Sequence, residues 1–271
     1  LLGLLSPSNR GSLATVMFIL YALFGFFGSF TSATIYKFFG GEDWKTNTIL
    51  APVLVPGFIL LSFAFLNFFL VFAKSSGAVP AGTLLAIVVI WFVISVPSSV
   101  AGSLIAFKRE SLSSPVKTNQ IPRQIPTQPK YMKTIIAALA SGIFPFGSIA
   151  VEMYFIYSSL WFNRVFYMFG FLFFCVLLMV VTTALVTVLT TYYTLCSENY
   201  KWQWRSIFIG GGCAVYVFVH AIFLSKFQLG GFTTVVLYVG YSFLISAITF
   251  IVTGSIGFLS SLFFVRRIYS A

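Results

Sequence analysis

Acidic side chains are the scarcest feature of this 271-residue sequence, which contains five Asp and Glu residues and a single His. General acid–base chemistry relies on these residue types, so we expect no catalytic residue within the chain. Charged residues make up 8% of the sequence, whereas soluble domains average about 25%. So few charges cannot cover a soluble fold in which 59% of the residues are apolar. The composition therefore excludes a soluble enzyme, a disordered chain and a nucleic-acid-binding domain.

Cysteine and the common nucleotide, metal and nucleophile motifs are also scarce or missing. The three cysteines, Cys175, Cys196 and Cys213, lie within apolar runs or at the end of one, which does not suit an oxidised framework. The sequence has no phosphate-binding loop, dinucleotide fingerprint, H-E-x-x-H or G-x-S-x-G motif. One His without nearby Cys or carboxylate partners does not make a metal site. We therefore expect no resident metal and no cofactor.

Long apolar runs dominate what is present. A membrane-spanning helix needs about 20 mainly apolar residues. The runs that meet this length lie at about 13–36, 49–73, 82–107, 134–160, 165–194, 206–225 and 232–265. They are continuous and lack the alternation of a β-barrel. The sequence predicts an all-α, polytopic helical membrane bundle with seven transmembrane helices, and the lipid bilayer as its main partner.

Basic residues are distributed unequally between alternate loops. Twelve of the 16 Lys and Arg residues fall on one side of the predicted membrane. The positive-inside rule places that side in the cytosol, so the chain starts in a lumen or outside and ends in the cytosol. This is also the topology of a G-protein-coupled receptor. That class is excluded because the third span ends in residues 106–109 without an acidic-Arg-Tyr motif, and the seventh lacks Asn-Pro-x-x-Tyr.

Two ionisable residues form a candidate intramembrane polar site. Glu152 is the only acidic residue within a predicted span, and His220 is the only histidine. Intramembrane carboxylates are costly and often functional. Glu152 could serve as a proton or cation site or as a substrate anchor. Alternatively, it joins two helices as a hydrogen-bonded group, or extends to the outer headgroups. A contact between Glu152 and His220 would make a pH-sensitive pair.

A Pro between two Gly residues interrupts the fourth span. Gly142, Pro145 and Gly147 precede Glu152 by a few residues. Proline removes one helical hydrogen bond and clashes with the preceding turn, so the segment predicts a helix break. Broken helices beside ionisable residues form the substrate sites of many transporters. A simple packing kink is the alternative.

Small residues recur every four positions in the third span. Ser98, Gly102 and Ala106 form the clearest of these stripes. Small residues let two helix backbones approach closely in a membrane. The stripe predicts tight packing within the bundle, and a secondary role in binding a client helix remains open.

The longest loop, at about 108–133, is basic and rich in proline. Proline at this density favours extended polyproline II segments. The positive charge suits contact with anionic cytosolic lipid. The loop is interpreted either as a stiff connector or as a docking site for a cytosolic adaptor.

Short motifs resemble those of one known family, the nonaspanins or transmembrane 9 superfamily. The most specific is residues 118–126, Thr-Asn-Gln-Ile-Pro-Arg-Gln-Ile-Pro, in the basic loop. Further matches are residues 3–11, 44–47, 144–147, 167–173, 202–206 and 253–258, in the family's order. The loop motif contributes Asn119, Gln120, Pro122, Arg123 and Pro126 as candidate functional residues.

The resemblance implies that residues 1–271 are a C-terminal transmembrane domain, with the last seven of nine spans. A luminal domain and two spans would precede it. Family members reside in Golgi and endosomal membranes and sort or escort other membrane proteins, notably those with Gly-rich spans. They are also linked to cell adhesion. A short C-terminal tail, not seen here, would bind coat proteins. A proton- or ion-coupled transporter using Glu152 is the alternative function.

Overall fold

A computed structural model of the chain describes residues 10–74, 78–117, 119, 121–162, 169–224 and 231–270. These residues form helices and loops and contain no β-strand, which confirms the all-α prediction. The chain divides into two compact units, the first ending at Ser114 and the second beginning at Pro115. The boundary falls inside the basic loop. A single transmembrane domain over residues 1–271 stays a prediction.

The first unit is built from apolar helices that pack around α1 and α4. Its helices are α1 (Arg10–Phe38), α2 (Trp44–Phe72), α3 (Ala81–Ile90) and α4 (Val96–Lys108). A π-helical segment, Trp91–Ser95, joins α3 to α4. It lies just before Pro97, where the missing amide hydrogen favours an irregular turn.

The described residues of the second unit form five α-helices that pack together. They are α5 (Thr134–Phe162), α6 (Phe169–Cys196), α7 (Trp202–Gly211), α8 (Cys213–Leu224) and α9 (Phe232–Tyr269). A 3₁₀ turn, Lys130–Met132, precedes α5. A cluster of buried side chains, Ile149, Met179, Cys213 and Val217, forms the core between α5, α6 and α8.

Six helical segments of the described chain are long and apolar enough to cross a membrane. They are Trp44–Phe72, Ala81–Lys108, Thr134–Ser158, Gly170–Cys196, Trp202–Leu224 and Phe232–Tyr269. These segments confirm six of the predicted spans within a few residues at each end. The remaining run, 13–36, coincides with α1, which is not among the six. The exact number of seven spans therefore stays a prediction.

The predicted helix break at Gly142, Pro145 and Gly147 is wrong. Helix α5 is 29 residues long and continues without interruption through Pro145. One lost hydrogen bond does not end the helix, because an apolar segment in lipid has no other way to satisfy the rest of its backbone. The real interruptions are the π-helical segment in the third span and a turn at Gly212 in the sixth.

Three consecutive glycines bring α7, α8, α5 and α9 together. A Cβ atom on Gly210 would lie 2.7 Å from the carbonyl oxygen of Thr253 in α9. A Cβ on Gly211 would overlap the ring of Phe250, and one on Gly212 would overlap the carbonyl group of Ala138 in α5. Only glycine permits these approaches, so residues 210–212 set the spacing of the helices in the second unit.

Hydroxyl groups complete the contact between α6 and α9. Thr191 and Ser261 share a buried hydrogen bond of 2.8 Å. One turn away, Thr187 lies against Gly257, where an added Cβ would be 3.0 Å from the threonine hydroxyl oxygen. A buried Thr on one helix thus faces a small residue on the other, which allows close packing and a polar contact together.

Candidate functional site

Glu152 lies in the interior of the second unit. Its side chain is 1% exposed. Ile149, one turn earlier on α5, belongs to the core cluster, and Cys175 of α6 lies nearby. Neither carboxyl oxygen has a hydrogen-bond partner among the described residues. The interpretation that Glu152 joins two helices by hydrogen bonds is therefore not supported, and nothing described offsets the cost of burying an ionised carboxylate here.

His220 does not pair with Glu152. Its Nδ1 atom and both Glu152 oxygens lack hydrogen-bond partners among the described residues, so no hydrogen bond joins them. The imidazole instead packs against the ring of Phe146, with the ring centres 5.6 Å apart and the planes at 64°. Within the described ranges, no group of three or more His, Cys, Asp and Glu side chains is positioned to hold a metal ion.

Two hydroxyl groups in the interior of the same unit lie close to each other. Tyr157 of α5 and Ser242 of α9 are neighbours in the interior. Neither hydroxyl meets hydrogen-bond geometry with any described residue. Sequence reasoning missed both, because single hydroxyls in apolar runs are common and nothing in the sequence predicts which will be buried.

Gly142 and Gly147, predicted as parts of one break, have different surroundings. A Cβ on Gly142 would lie 2.5 Å from the carbonyl carbon of Gly212, so Gly142 allows α5 to contact the turn between α7 and α8. Gly147 is exposed, and an added Cβ would have no neighbour within 4 Å. Gly147 therefore forms a notch on the outer surface of α5.

The small-residue stripe of the third span packs within the first unit, as one of its interpretations predicted. Gly102 and Ala106 are buried, and Ser98 is half-buried. A Cβ on Gly102 would overlap the carbonyl oxygen of Phe26 in α1. Helix α1 thus occupies the part of the stripe around Gly102. A Gly102→Leu change would therefore disturb the packing of this unit.

A lysine from α1 secures the same helix pair near its end. Lys37 Nζ donates a hydrogen bond of 3.0 Å to the carbonyl oxygen of Phe107 and another to that of Arg109. These acceptors lie at the C-terminus of α4, where a positive charge is favourable. The Arg109 guanidinium lies 5.3 Å from the ring centre of Phe30.

The loop motif is exposed and only lightly anchored. Arg123 and Glu198 form an ion pair of 3.6 Å in which both side chains are more than half exposed, so it contributes little stability. The Asn119 side chain accepts a hydrogen bond from the amide of Ile121. Pro122 and Pro126 lie in irregular backbone. Gln120 lies outside the described residues.

Arg205 is the most unexpected of the buried residues. It is one of the twelve basic residues on the predicted cytosolic side, yet it is 7% exposed. Its Nε and Nη2 atoms have no hydrogen-bond partner among the described residues. The Trp-Gln-Trp-Arg segment at the start of α7 gave no signal of burial, because Arg near a helix start usually extends into water or the headgroups.

Known proteins match this chain over its whole length. The family model described as Endomembrane protein 70 matches residues 1–232. The chain is 66% identical to Transmembrane 9 superfamily member 1 of Saccharomyces cerevisiae over 100% of its own length and 41% of that protein. It is 44% identical to Transmembrane 9 superfamily member 2 of Homo sapiens, covering 99% of the chain and 41% of the relative. The chain therefore spans about two-fifths of the length of these relatives. No solved structure matches it.

Proposed function

Because the chain belongs to the Endomembrane protein 70, or transmembrane 9, superfamily, we propose that it sorts or escorts other membrane proteins by recognising their transmembrane helices. In this proposal it resides in Golgi and endosomal membranes, with the start of the chain luminal and its C-terminal end cytosolic. The basic-residue bias supports this orientation. Imaging of the tagged full-length protein beside organelle markers, with protease protection of each end, tests both points.

The observation that carries the proposal is the notch at Gly147 on α5. Exposed apolar side chains border it on the same helix, with Phe144 one turn before and Val151 one turn after. A smooth apolar helix gains little by leaving lipid for another helix, whereas a glycine lets two backbones approach closely. A client span rich in glycine would meet α5 there, without needing any charged group.

The test is capture of clients by the full-length protein. It would be tagged, extracted in a mild detergent and examined for co-purifying membrane proteins with single Gly-rich spans. At Gly147 an added Cβ has no described neighbour within 4 Å, so Gly147→Leu should fill the notch, leave the bundle folded and lower capture several-fold. Val151→Leu is the matched control, because it changes an exposed side chain one turn away and leaves the notch open.

Two results would contradict this proposal. If Gly147→Leu captures Gly-rich clients as well as the wild type does, α5 is not the recognition surface. If the folded wild-type protein recovers no Gly-rich client, the sorting function itself is wrong. A coat-protein contact through a C-terminal tail, also proposed from the resemblance, is tested separately by pull-down with the full-length tail.

Proton- or cation-coupled transport is a second candidate function, and the burial of Glu152 favours it. Ionisable residues inside membrane proteins often mark ion pathways and proton relays. In vesicles containing the full-length protein, we expect a proton or cation flux that Glu152→Ala removes and Glu152→Asp retains in part. Wild-type protein without any flux would count against this function and leave sorting as the remaining proposal.

A further inference from the structure

A cavity of about 430 Å³ lies in the second unit where the basic loop meets the helix ends. The 3₁₀ turn before α5, the last turn of α6 and the first turns of α7 border it, and it is open on one side. Its lining includes Tyr131, Met132, Tyr193, Cys196 and Arg205. Its volume lies within the range of small-molecule and headgroup sites.

The guanidinium of Arg205 is the charged group of this cavity. Arginine stays protonated in proteins, so the buried side chain carries a full positive charge. Two of its three nitrogen atoms, Nε and Nη2, donate to no described residue although they are buried. An uncompensated buried charge is strongly destabilising, and a guanidinium with free donors matches an anion that can accept two hydrogen bonds.

The acceptors at the end of α6 and the nearest acidic residue in the sequence are already engaged. At the end of α6, the carbonyl oxygens of Tyr193 and Thr194 accept hydrogen bonds from the amides and hydroxyl of residues 197 and 199. Glu198, the nearest acidic residue in the sequence, pairs with Arg123. None of the described residues that line the cavity is acidic. The buried Oε1 atom of Gln128, whose amide donates to the carbonyl oxygen of Ser197 at the cavity, has no described partner, but it is neutral and does not offset the charge of Arg205.

The residues around the cavity include further basic side chains and exposed tyrosines. Lys130, Lys133 and Lys201 are exposed on the segments that flank the cavity. Tyr131 and Tyr193 are 72% and 55% exposed, as suits aromatic residues at a membrane boundary. Helix α7 begins at Trp202 without a side-chain cap, three residues before Arg205.

We propose that this cavity binds the phosphate-bearing headgroup of an anionic phospholipid, with Arg205 as the residue that holds the phosphate. The basic-residue bias assigns this face to the cytosol, where anionic lipids are concentrated. A headgroup reaches the cavity from the adjoining leaflet, and its phosphate oxygens accept the free hydrogens of the guanidinium. The site is independent of client sorting and would operate whichever transport function the protein has.

The experiment measures lipid binding to the purified full-length protein. The probe is a fluorescent short-chain phosphatidylinositol monophosphate, followed by anisotropy, with the phosphatidylcholine analogue as the neutral comparison. Arg205→Gln should weaken binding about tenfold or more, as expected from losing charge-assisted hydrogen bonds to a phosphate. Arg267→Gln removes the same charge from an exposed arginine at the end of α9 that does not line the cavity, and it should leave binding unchanged. Inorganic phosphate should compete only weakly.

A second measurement does not depend on how Arg205→Gln folds. Cys196 lines the cavity and is exposed, whereas Cys175 and Cys213 are buried. Bound lipid should slow maleimide labelling of Cys196 in the wild-type protein, and the phosphatidylcholine analogue should not. Three outcomes would overturn the proposal: equal loss of binding in Arg267→Gln, unprotected Cys196, or competition by inorganic phosphate as strong as that by the lipid.

Discussion

Substituting Gly102 by Ala adds one methyl group at the closest approach between α1 and α4. The new Cβ would overlap the carbonyl oxygen of Phe26 and lie 3.2 Å from its carbonyl carbon. Both atoms belong to the helix backbone, so no side-chain rotation can relieve the overlap. The two helices must separate, and Gly25, whose own Cβ would lie 3.3 Å from the Ser99 hydroxyl, would separate with them.

The expected loss of stability follows from this overlap. Overpacking a well-packed interior by one or a few methyl groups costs about 1–3 kcal/mol. The matched control is Gly28→Ala on α1, where an added Cβ has nothing within 4 Å. Alanine in a helix is favoured over glycine by about 0.5–1 kcal/mol, so this variant should be unchanged or slightly stabilised. The same preference for alanine applies at Gly102, so the two variants should differ by the overpacking cost, about 1–3 kcal/mol.

Thermal unfolding of the full-length protein in mild detergent, followed by tryptophan fluorescence, measures this difference. Each kcal/mol corresponds to about 2–4 °C in Tm for a domain of about this size. Gly102→Ala should melt several degrees below the wild type, and Gly28→Ala should not. If Gly102→Ala melts at or above the wild-type temperature while Gly28→Ala behaves as expected, α1 does not approach Gly102 as closely as described.

Three further changes test the packing of each unit. Gly210→Ala should lower Tm by several degrees, because its Cβ would lie 2.7 Å from the carbonyl oxygen of Thr253. Asn67→Ala should cost about 1–3 kcal/mol of unfolding free energy, since the buried amide both donates to and accepts from the backbone of Val79 at 2.9 and 2.8 Å. Ser261→Ala, which loses a 2.8 Å bond to a threonine of α6, should cost only about 0.6 kcal/mol. Equal effects of all three would contradict this order.

The spans were predictable because the length of an apolar run is itself the physical requirement for crossing lipid. The run 134–160 became α5 and the run 232–265 became α9, each within a few residues of the predicted ends. The family was predictable as well. The bilayer requires only that a span be apolar, so a specific polar sequence such as residues 118–126 is not expected by chance in an unrelated membrane protein. These features are local, so no knowledge of neighbouring helices was needed.

Helix irregularities could not be placed from the sequence. Pro145 seemed the strongest breaker, yet α5 passes through it, while Gly212 forms a turn. Whether a helix is interrupted at a proline or glycine depends on which residues pack beside it. Gly212 lies against the backbone of Ala138, where no side chain fits.

The sequence by itself determined that the chain is an all-helical membrane protein, where its spans lie, and the asymmetry of its basic residues. Only the tertiary structure decided that Glu152 is buried without a hydrogen-bond partner among the described residues, that α1 occupies the stripe around Gly102, and that Arg205 lies in a cavity. The features determined by the sequence depend on the free energy of transferring each segment separately from water into lipid. Those decided by the tertiary structure depend on which helix faces which, and a periodic pattern of apolar residues does not encode that pairing when nearly every face is apolar.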